Sequence, residues 1–331
     1  MRFRSQLTNI ATFTKLTASL SSLGKVCWMR LEDGAVRFTI IPDQGTQVWA
    51  QLPVDAIFEP STYTLQSNSG VINLEVPVSV LHRALRSAAT ATSAQLRLTK
   101  KGNIPLLALT VLASSWTTGS NALGIADTAG DPTSTGSGPR ERETVISQEI
   151  PVKVLHESAV EGLHEPRCRD PDVHIILPGL LQLKSISERF TNLAMTDAKG
   201  GGAAVTAPRL ELSANMHGSL RLAIATDALR ISSVWTDLVN PALDPGQLSQ
   251  GQIEQLPSER MRGLGEHDEA AWAKVRIDGK DWGRVLSVGR LSPKVVACFI
   301  HETALVLYVY LPSSWDGEDS CLTYYINSYS T

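Results

Sequence analysis

Four side chains able to bind a metal lie in one short stretch: His156, His164, Cys168 and His174. Zinc sites draw their ligands at short, repeated intervals, usually with a CxxC pair. These intervals fit no such pattern, and the other cysteines, Cys27, Cys298 and Cys321, lie far apart, so no metal is expected. Gly263-Leu264-Gly265 is a fragment of a dinucleotide loop, but no strand is expected before it and no helix after it. Gly200-Gly201-Gly202 lacks the following Lys-Ser or Lys-Thr that would hold a phosphate. GxSxG and HExxH do not occur, and the scattered Asp and Glu residues suggest no acid–base pair. The reading is therefore no catalytic residue and no cofactor.

What remains is a set of cations at helical spacing. His82, Arg83 and Arg86 share one wet face, as do Lys280 and Arg284 one turn apart, with Arg290 just beyond. Lys15 stands on a third face, and Lys184 and Arg189 on a fourth, where Glu188 joins them. Taken singly, each is an ordinary solubilising side chain. Gathered on one surface they would hold phosphates without reading sequence, through weak and salt-sensitive contacts.

The elements that must position them repeat. Four segments carry an apolar stripe of helical period: 10–23 (Phe13, Leu16, Leu20, Leu23), 79–90 (Leu81, Ala84, Leu85, Ala88), 179–193 (Leu183, Ile186, Phe190, Leu193) and 278–289 (Trp282, Val285, Leu286, Gly289). Ser79 and Asp278 are the expected N-caps of the second and fourth. One strand precedes each helix and three follow. The strands are expected at 2–7, 25–31, 36–41 and 46–52; at 71–76, 94–100, 106–113 and 145–155; at 173–177, 210–214, 219–225 and 229–235; and at 272–277, 294–301, 304–311 and 321–327. Turn residues such as Glu32-Asp33-Gly34 and Lys101-Gly102-Asn103 separate them. The chain thus reads as four strand–helix–strand–strand–strand units, two per domain. The four helices would lie on one face of a continuous antiparallel sheet, an α+β layer architecture. A parallel sheet would need a helix between every pair of strands, and there are too few.

Composition agrees. The chain has 331 residues, the length of two domains or one large one, and with 43% hydrophobic and 19% charged residues it has enough apolar material for real cores. Its formal charge is −3, so any affinity for phosphate must come from sorting charge onto one side. No apolar run approaches the roughly 18 residues that span a bilayer, and MRFRSQLTNI has no signal-peptide core, so a soluble, intracellular protein with reduced thiols is expected. Residues 114–143 hold 17 Ser, Thr, Gly or Pro and are expected to form a disordered hairpin loop. Trp116 within it could anchor a partner. Residues 240–269, rich in Pro, Gly, Gln and charge, are expected to be a flexible insertion. Residues 156–171, with Pro166 and Pro171, read as an ordered connector between domain one (1–155) and domain two (172–331). Trp282, on a buried stripe, is expected in the core.

Several segments resemble the Hus family, one subunit of the heterotrimeric nine-one-one DNA-damage checkpoint clamp. They are MRFRSQL and KVCWMRL near the start, VPVSVLHRALRSA at 76–88, EIPVKVL at 149–155, EPRCRDPDVHIILPGL at 165–180, SSVWTDLVNPAL at 232–243 and AKVRIDGKDWGRVLSVG at 273–289. The resemblance implies a fold similar to that of proliferating-cell nuclear antigen, the replication sliding clamp, with antiparallel sheets outside and four helices on the inner face of a ring. Lys15, Arg83, Arg86, Lys184, Arg189, Lys280 and Arg284 would then face duplex DNA, although Ser185 and Glu188 stand where the replication clamp has bases.

The implied function is a non-catalytic scaffold at DNA damage that activates a checkpoint kinase and assists repair enzymes; a homotrimeric replication clamp is the alternative. The implied partners are two sister clamp subunits, duplex DNA bound without sequence preference, an ATP-dependent clamp loader, and checkpoint and repair proteins, in the nucleus and without a membrane. Unpaired sheet edges, expected at 145–155 and 321–327, would join the subunits.

Overall fold

A computed structural model describes residues 1–42, 45–117, 140–198, 209–226, 229–241, 254–266, 268–291, 294–311 and 320–329. The first half runs β1 (Arg2–Gln6), α1 (Ile10–Leu23), β2 (Val26–Leu31), β3 (Ala35–Ile40), β4 (Gln47–Pro53), β5 (Thr64–Gln66), β6 (Ile72–Pro77), α2 (Val78–Ser87), β7 (Ser93–Lys101), β8 (Ile104–Thr117), β9 (Arg140–Pro151) and β10 (Lys153–Leu155). One helical turn, α3 (Glu157–Val160), follows. The second half runs β11 (Val173–Ile176), α4 (Leu180–Ala198), β12 (Arg209–Ala214), β13 (Leu220–Ala225), β14 (Arg230–Trp235), α5 (Pro257–Arg262), β15 (Ala273–Asp278), α6 (Gly279–Val285), β16 (Val295–Ile300), β17 (Ala304–Leu311) and β18 (Ser320–Asn327).

All strand pairs are antiparallel, and they build three sheets rather than one. Their orders are β5-β1-β7-β8-β9, β10-β6-β2-β3-β4-β18-β17-β16-β11 and β14-β13-β12-β15. The nine-stranded sheet crosses both halves because β18 pairs with β4, from Cys321 opposite Gln51 to Tyr325 opposite Gln47. The helices touch in the order α2, α1, α6, α4 and so form a single layer. In the first half they fill the wedge between two sheets. Phe3 of β1 stacks edge-on against Phe58 at 5.5 Å, and Phe13 of α1 meets both Phe38 of β3 at 5.9 Å and Phe58 at 6.1 Å. Each such ring removed from water contributes roughly 1.5–3 kcal/mol.

Local chemistry sets the helix starts. The Asn9 side chain accepts from the Thr12 amide, and the Asp278 side chain accepts from the amides of Lys280 and Asp281, as the N-cap reading of Asp278 expected. Ser79 is not a cap: α2 already begins at Val78, with Pro77 before it. Helix α6 is short and continues as a 3-10 turn over Leu286–Arg290. It is held by Trp282, which is fully buried and donates from its indole to Ser187 Oγ at 3.1 Å. Leu193, expected on the buried stripe of α4, is exposed.

The loop expectations change as well. The β8–β9 ladder extends to Thr117 opposite Arg140, so both ends of the expected loop 114–143 are strand; its centre, 118–139, lies outside the described residues. In the insertion 240–269, residues 242–253 and 267 lie outside them, but the remainder is ordered and includes α5, which packs on β11. Pro257 opens α5 at the position where its missing amide costs nothing. The single strand expected at 145–155 is two: β9 ends the five-stranded sheet, and β10 ends the nine-stranded one.

Candidate nucleic-acid interface

The helix layer turns one face to the core and the other away from it. On α1 the exposed side carries Lys15; on α2 it carries Ser79, Arg83 and Arg86. His82 does not belong to that face. Its Nδ1 lies 3.1 Å from the Thr14 carbonyl and 3.4 Å from Thr17 Oγ1, so the ring locks α2 onto α1. Among the described residues, Lys15, Arg83 and Arg86 make no ion pair.

In the second half the cations have company. Lys184 lies 3.7 Å from Glu188 on α4, while Arg189 is exposed beside them. Arg284 bonds Asp281 at 3.0 Å, and Lys280 stands exposed without an ion pair among the described residues. Burial, with the Asp278 charge adding to it, pushes the Asp281 carboxyl above its ordinary range, although Arg284 opposes the shift. The two helix pairs meet where Ser22 Oγ lies 3.0 Å from Ser287 Oγ. The seven sequence-derived cations therefore stand on one helix layer, and two of them are neutralised in place.

The sheet edges define a second feature. Strand β18 is no edge: it is flanked by β4 and β17. Its Leu322, Tyr324 and Ile326 face the core, and on the other face Tyr325 is buried too. Among the described residues, β9 and β14 are the long strands left open on one side. Strands β5 and β10 are three residues each. Strand β15 is covered by the chain end, where the Tyr329 amide donates to the Arg276 carbonyl at 2.9 Å and Arg209 lies 4.0 Å over the Tyr329 ring. Exposed Val145 and Ile146 on β9 and Val234 on β14 add apolar surface to these open edges.

The stretch between β10 and β11 is pinned by residues of the EPRCRDPDVHIILPGL segment. Tyr325 donates to Glu165 at 2.9 Å, and Arg169 grips Asp172 with two bonds of 2.9 and 2.7 Å. Asp172 also accepts from the His301 amide at 2.7 Å. Burial raises the Asp172 carboxyl, but the bonds from Arg169 and His301 outweigh it and leave it below the ordinary range. The SSVWTDLVNPAL segment closes the other side of β11. Asn240 Nδ2 donates to the His174 carbonyl at 2.7 Å, and the Ile176 amide donates to the Val239 carbonyl at 2.8 Å. Gly218, at φ +78°, sits against the Leu238 backbone, where a Cβ would collide. Among the described residues no three His, Cys, Asp or Glu side chains converge as a metal site would require. No helix there is long and apolar enough to cross a membrane.

Two-fold repetition of sheets with an inner helix layer defines the class, a sliding-clamp fold. Solved clamps superpose along the whole chain. Proliferating cellular nuclear antigen from Entamoeba histolytica gives a TM-score of 0.59 at 12% identity, covering 99% of both chains. A PCNA2–PCNA3 complex from Sulfolobus tokodaii gives 0.54 at 12% identity, covering 98% of both. These likenesses show the fold. The family model described as Hus1-like protein matches residues 1–330. The checkpoint protein hus1 of Schizosaccharomyces pombe is 36% identical over 331 residues, covering 99% of each chain. The human checkpoint protein HUS1 is 25% identical, covering 100% of each. The chain belongs to the Hus1-like family. It is a non-catalytic subunit of the heterotrimeric nine-one-one checkpoint clamp, not of a homotrimeric replication clamp.

Proposed function

We propose that this chain forms one third of a ring closed around duplex DNA, with residues 1–155 and 172–331 as its two clamp domains and 156–171 as the connector. Lys15, Arg83, Arg86, Lys184, Arg189, Lys280 and Arg284 would contact phosphates from the helix layer. The observation that carries this reading is the arrangement of exposed cations on one helix layer in a chain whose overall charge is −3. Such contacts position the ring without reading sequence. Two different sister subunits would add to the open edges β9 and β14 by sheet continuation. An ATP-dependent loader would open and close the ring at damage in the nucleus, where its outer face would gather checkpoint and repair proteins.

The test is reconstitution with the two sister subunits. The expected result is a ring of one copy each, loaded by the ATP-dependent loader and retained on nicked circular DNA but lost when the circle is cut. Charge reversal of Arg83, Arg86, Lys280 and Arg284 together is expected to weaken retention and leave assembly intact. Unchanged retention would remove the DNA-facing assignment; a stable ring of this chain alone would remove the hetero-oligomeric one.

A further inference from the structure

The five-stranded sheet turns one face to the helices and the other to solvent. Alternation along its strands puts Phe3, Ser5 and Leu96 on the core side and Arg2, Arg4 and Arg97 on the exposed side. The ladder sets Arg4 of β1 directly opposite Arg97 of β7. Side chains so placed have Cβ atoms about 5 Å apart, and like charges there oppose each other. Arg2 stands two residues before Arg4 on the same face, about 6.7 Å along the strand. The acid on the row of Arg4 and Arg97 is Glu149, two strands beyond Arg97 with Ala108 between them. It lies 3.4 Å from Lys101. Among the described residues none of the three arginines makes an ion pair.

A protein with an overall charge of −3 thus keeps three cations side by side, where an acid in place of one would favour the strand pairing. Each guanidinium presents a planar fork of N–H donors that fits carboxylate and phosphate oxygens two at a time. Two forks facing each other across a ladder converge on one point. That suits a compact dianion with three free oxygens, a phosphate monoester. The third fork, about 6.7 Å away, falls at the spacing of positions i and i+2 in an extended peptide. The neighbouring positions on this face hold Thr64, Gln66, Gln95 and Ala108, which offer no ring on which a base could stack. The face also looks away from the helix layer assigned to DNA, so a peptide fits better than a nucleic-acid strand.

We infer that Arg2, Arg4 and Arg97 form a binding site for a phosphorylated Ser or Thr in an extended segment of a partner protein. Arg4 and Arg97 clamp the phosphate between them, and Arg2 takes an Asp or Glu two positions away. The bound dianion turns a repulsive pair into two charge-assisted contacts, so phosphorylation of the partner switches docking on. The inference gives a chemistry to the partner-gathering role proposed above and rests on that role only for its purpose.

The experiment uses the clamp assembled with its sister subunits and a fluorescein-labelled peptide, Gly-Ser-Asp-Gly-phosphoserine-Gly-Asp-Ser-Gly, read by fluorescence anisotropy. Saturable binding is expected, and the same peptide with unmodified serine is expected to bind about tenfold or more weaker. Arg4→Ala with Arg97→Ala is expected to cost a similar factor, whereas Lys101→Ala, which removes a paired cation of the same sheet, should cost little. Arg2→Ala is expected to remove the preference for Asp over Asn in the peptide. Arg97→Thr, which ends the like-charge contact with a residue suited to a strand, is expected to abolish phosphate-dependent binding while the melting temperature holds or rises. Absence of saturable binding, equal binding of the unmodified peptide, indifference to the Arg4 and Arg97 changes, or lost binding matched by a lower melting temperature would each overturn the inference. So would inorganic phosphate or a short thymidine oligonucleotide that competes as well as the phosphopeptide itself. Ring formation is scored separately by gel filtration, so failure of the clamp reading shows as lost assembly and failure of this inference as lost phosphopeptide binding.

Discussion

Helices α1 and α2 contain no Asp or Glu, whereas α4 and α6 set an acid beside a base. The two halves repeat one plan, and their helices share one layer, yet among the described residues the first half offers cations without ion pairs and the second offers partly neutralised ones. Exposed pairs such as Lys184–Glu188 and Arg284–Asp281 contribute roughly 0–1 kcal/mol to stability. Their larger effect is on the field: each acid cancels a charge that would otherwise act on a phosphate. The comparison teaches that backbone repetition conserves where a side chain points and not what it does. The halves also differ in how their helices are held. Helix α1 has fourteen residues and several buried anchors, while α6 has seven and hangs on Trp282. A helix that short has no stability of its own.

The largest effect is therefore expected from Trp282→Ala. Removing a fully buried indole costs about 3–5 kcal/mol, and the Ser187 hydroxyl loses its donor. Urea denaturation should show that loss, and hydrogen exchange should show α6 and its contacts on α4 opening before α1 and α2. Uniform loss of protection across both halves would mean that the core behaves as one unit and that the anchoring contrast is false.

Next comes the charge contrast itself. Arg83→Ala with Arg86→Ala should reduce the slope of log affinity against log salt by about 2 for the assembled ring on DNA. Lys184→Ala with Arg189→Ala should reduce it by about 1 or less, because Glu188 already screens Lys184. Glu188→Gln should steepen the slope. Equal slopes for the two double variants would erase the difference between the halves.

The caps give a smaller and more symmetrical comparison. Asn9 serves one amide at the start of α1, and Asp278 serves two at the start of α6. Replacing either by Ala should cost about 1 kcal/mol in urea denaturation. Asp278 should cost the more, since its carboxylate also meets the positive end of the helix. An equal or reversed order would show that the second amide bond adds nothing.

Much of this was legible in the chain. The steps of 3 and 4 from Phe13 to Leu23, and the alternation of Leu220, Leu222 and Ile224 between turn residues, specify element type through local geometry alone, and the repeat follows from them. Trp282 was legible for the same reason. What stayed hidden depends on how distant elements meet. Whether β18 is an edge depends on β4, more than 260 positions away in sequence, and β14 is open because no strand pairs with its far side among the described residues. Helix α5 is six residues, too short for a period to register, and only Pro257 hinted at it. The ends of the hairpin, SSWT at 114–117 and RERE at 140–143, lie in a stretch that reads as loop by its overall composition, yet the ladder of β8 and β9 runs through both.

The smallest expected effect concerns His174, which belongs to the second half and ties β11 to the segment after β14. The ring is 4% exposed, with Nε2 2.9 Å from the Pro241 carbonyl and Nδ1 buried without a partner among the described residues. A neutral ring donating from Nε2 fits this site, whereas a charged ring would bury a second donor with no acceptor. Burial accordingly lowers its pKa; the Pro241 carbonyl opposes this, and on α5 Arg262 adds to the lowering while Glu259 resists it. In the unfolded chain the same ring titrates near its ordinary value of about 6.5. Below that value the unfolded state binds a proton that the folded state refuses, so stability falls with falling pH until the folded value is passed. The contribution is complete above about pH 6.5. Urea denaturation at about pH 7.5 and about pH 5.5 should show the loss in the natural chain. His174→Gln, which keeps a donor but cannot titrate, should show a smaller one. Identical pH slopes would mean that the buried ring already carries its proton and that the Nδ1 donor finds an acceptor, such as a trapped water, between β11 and α5.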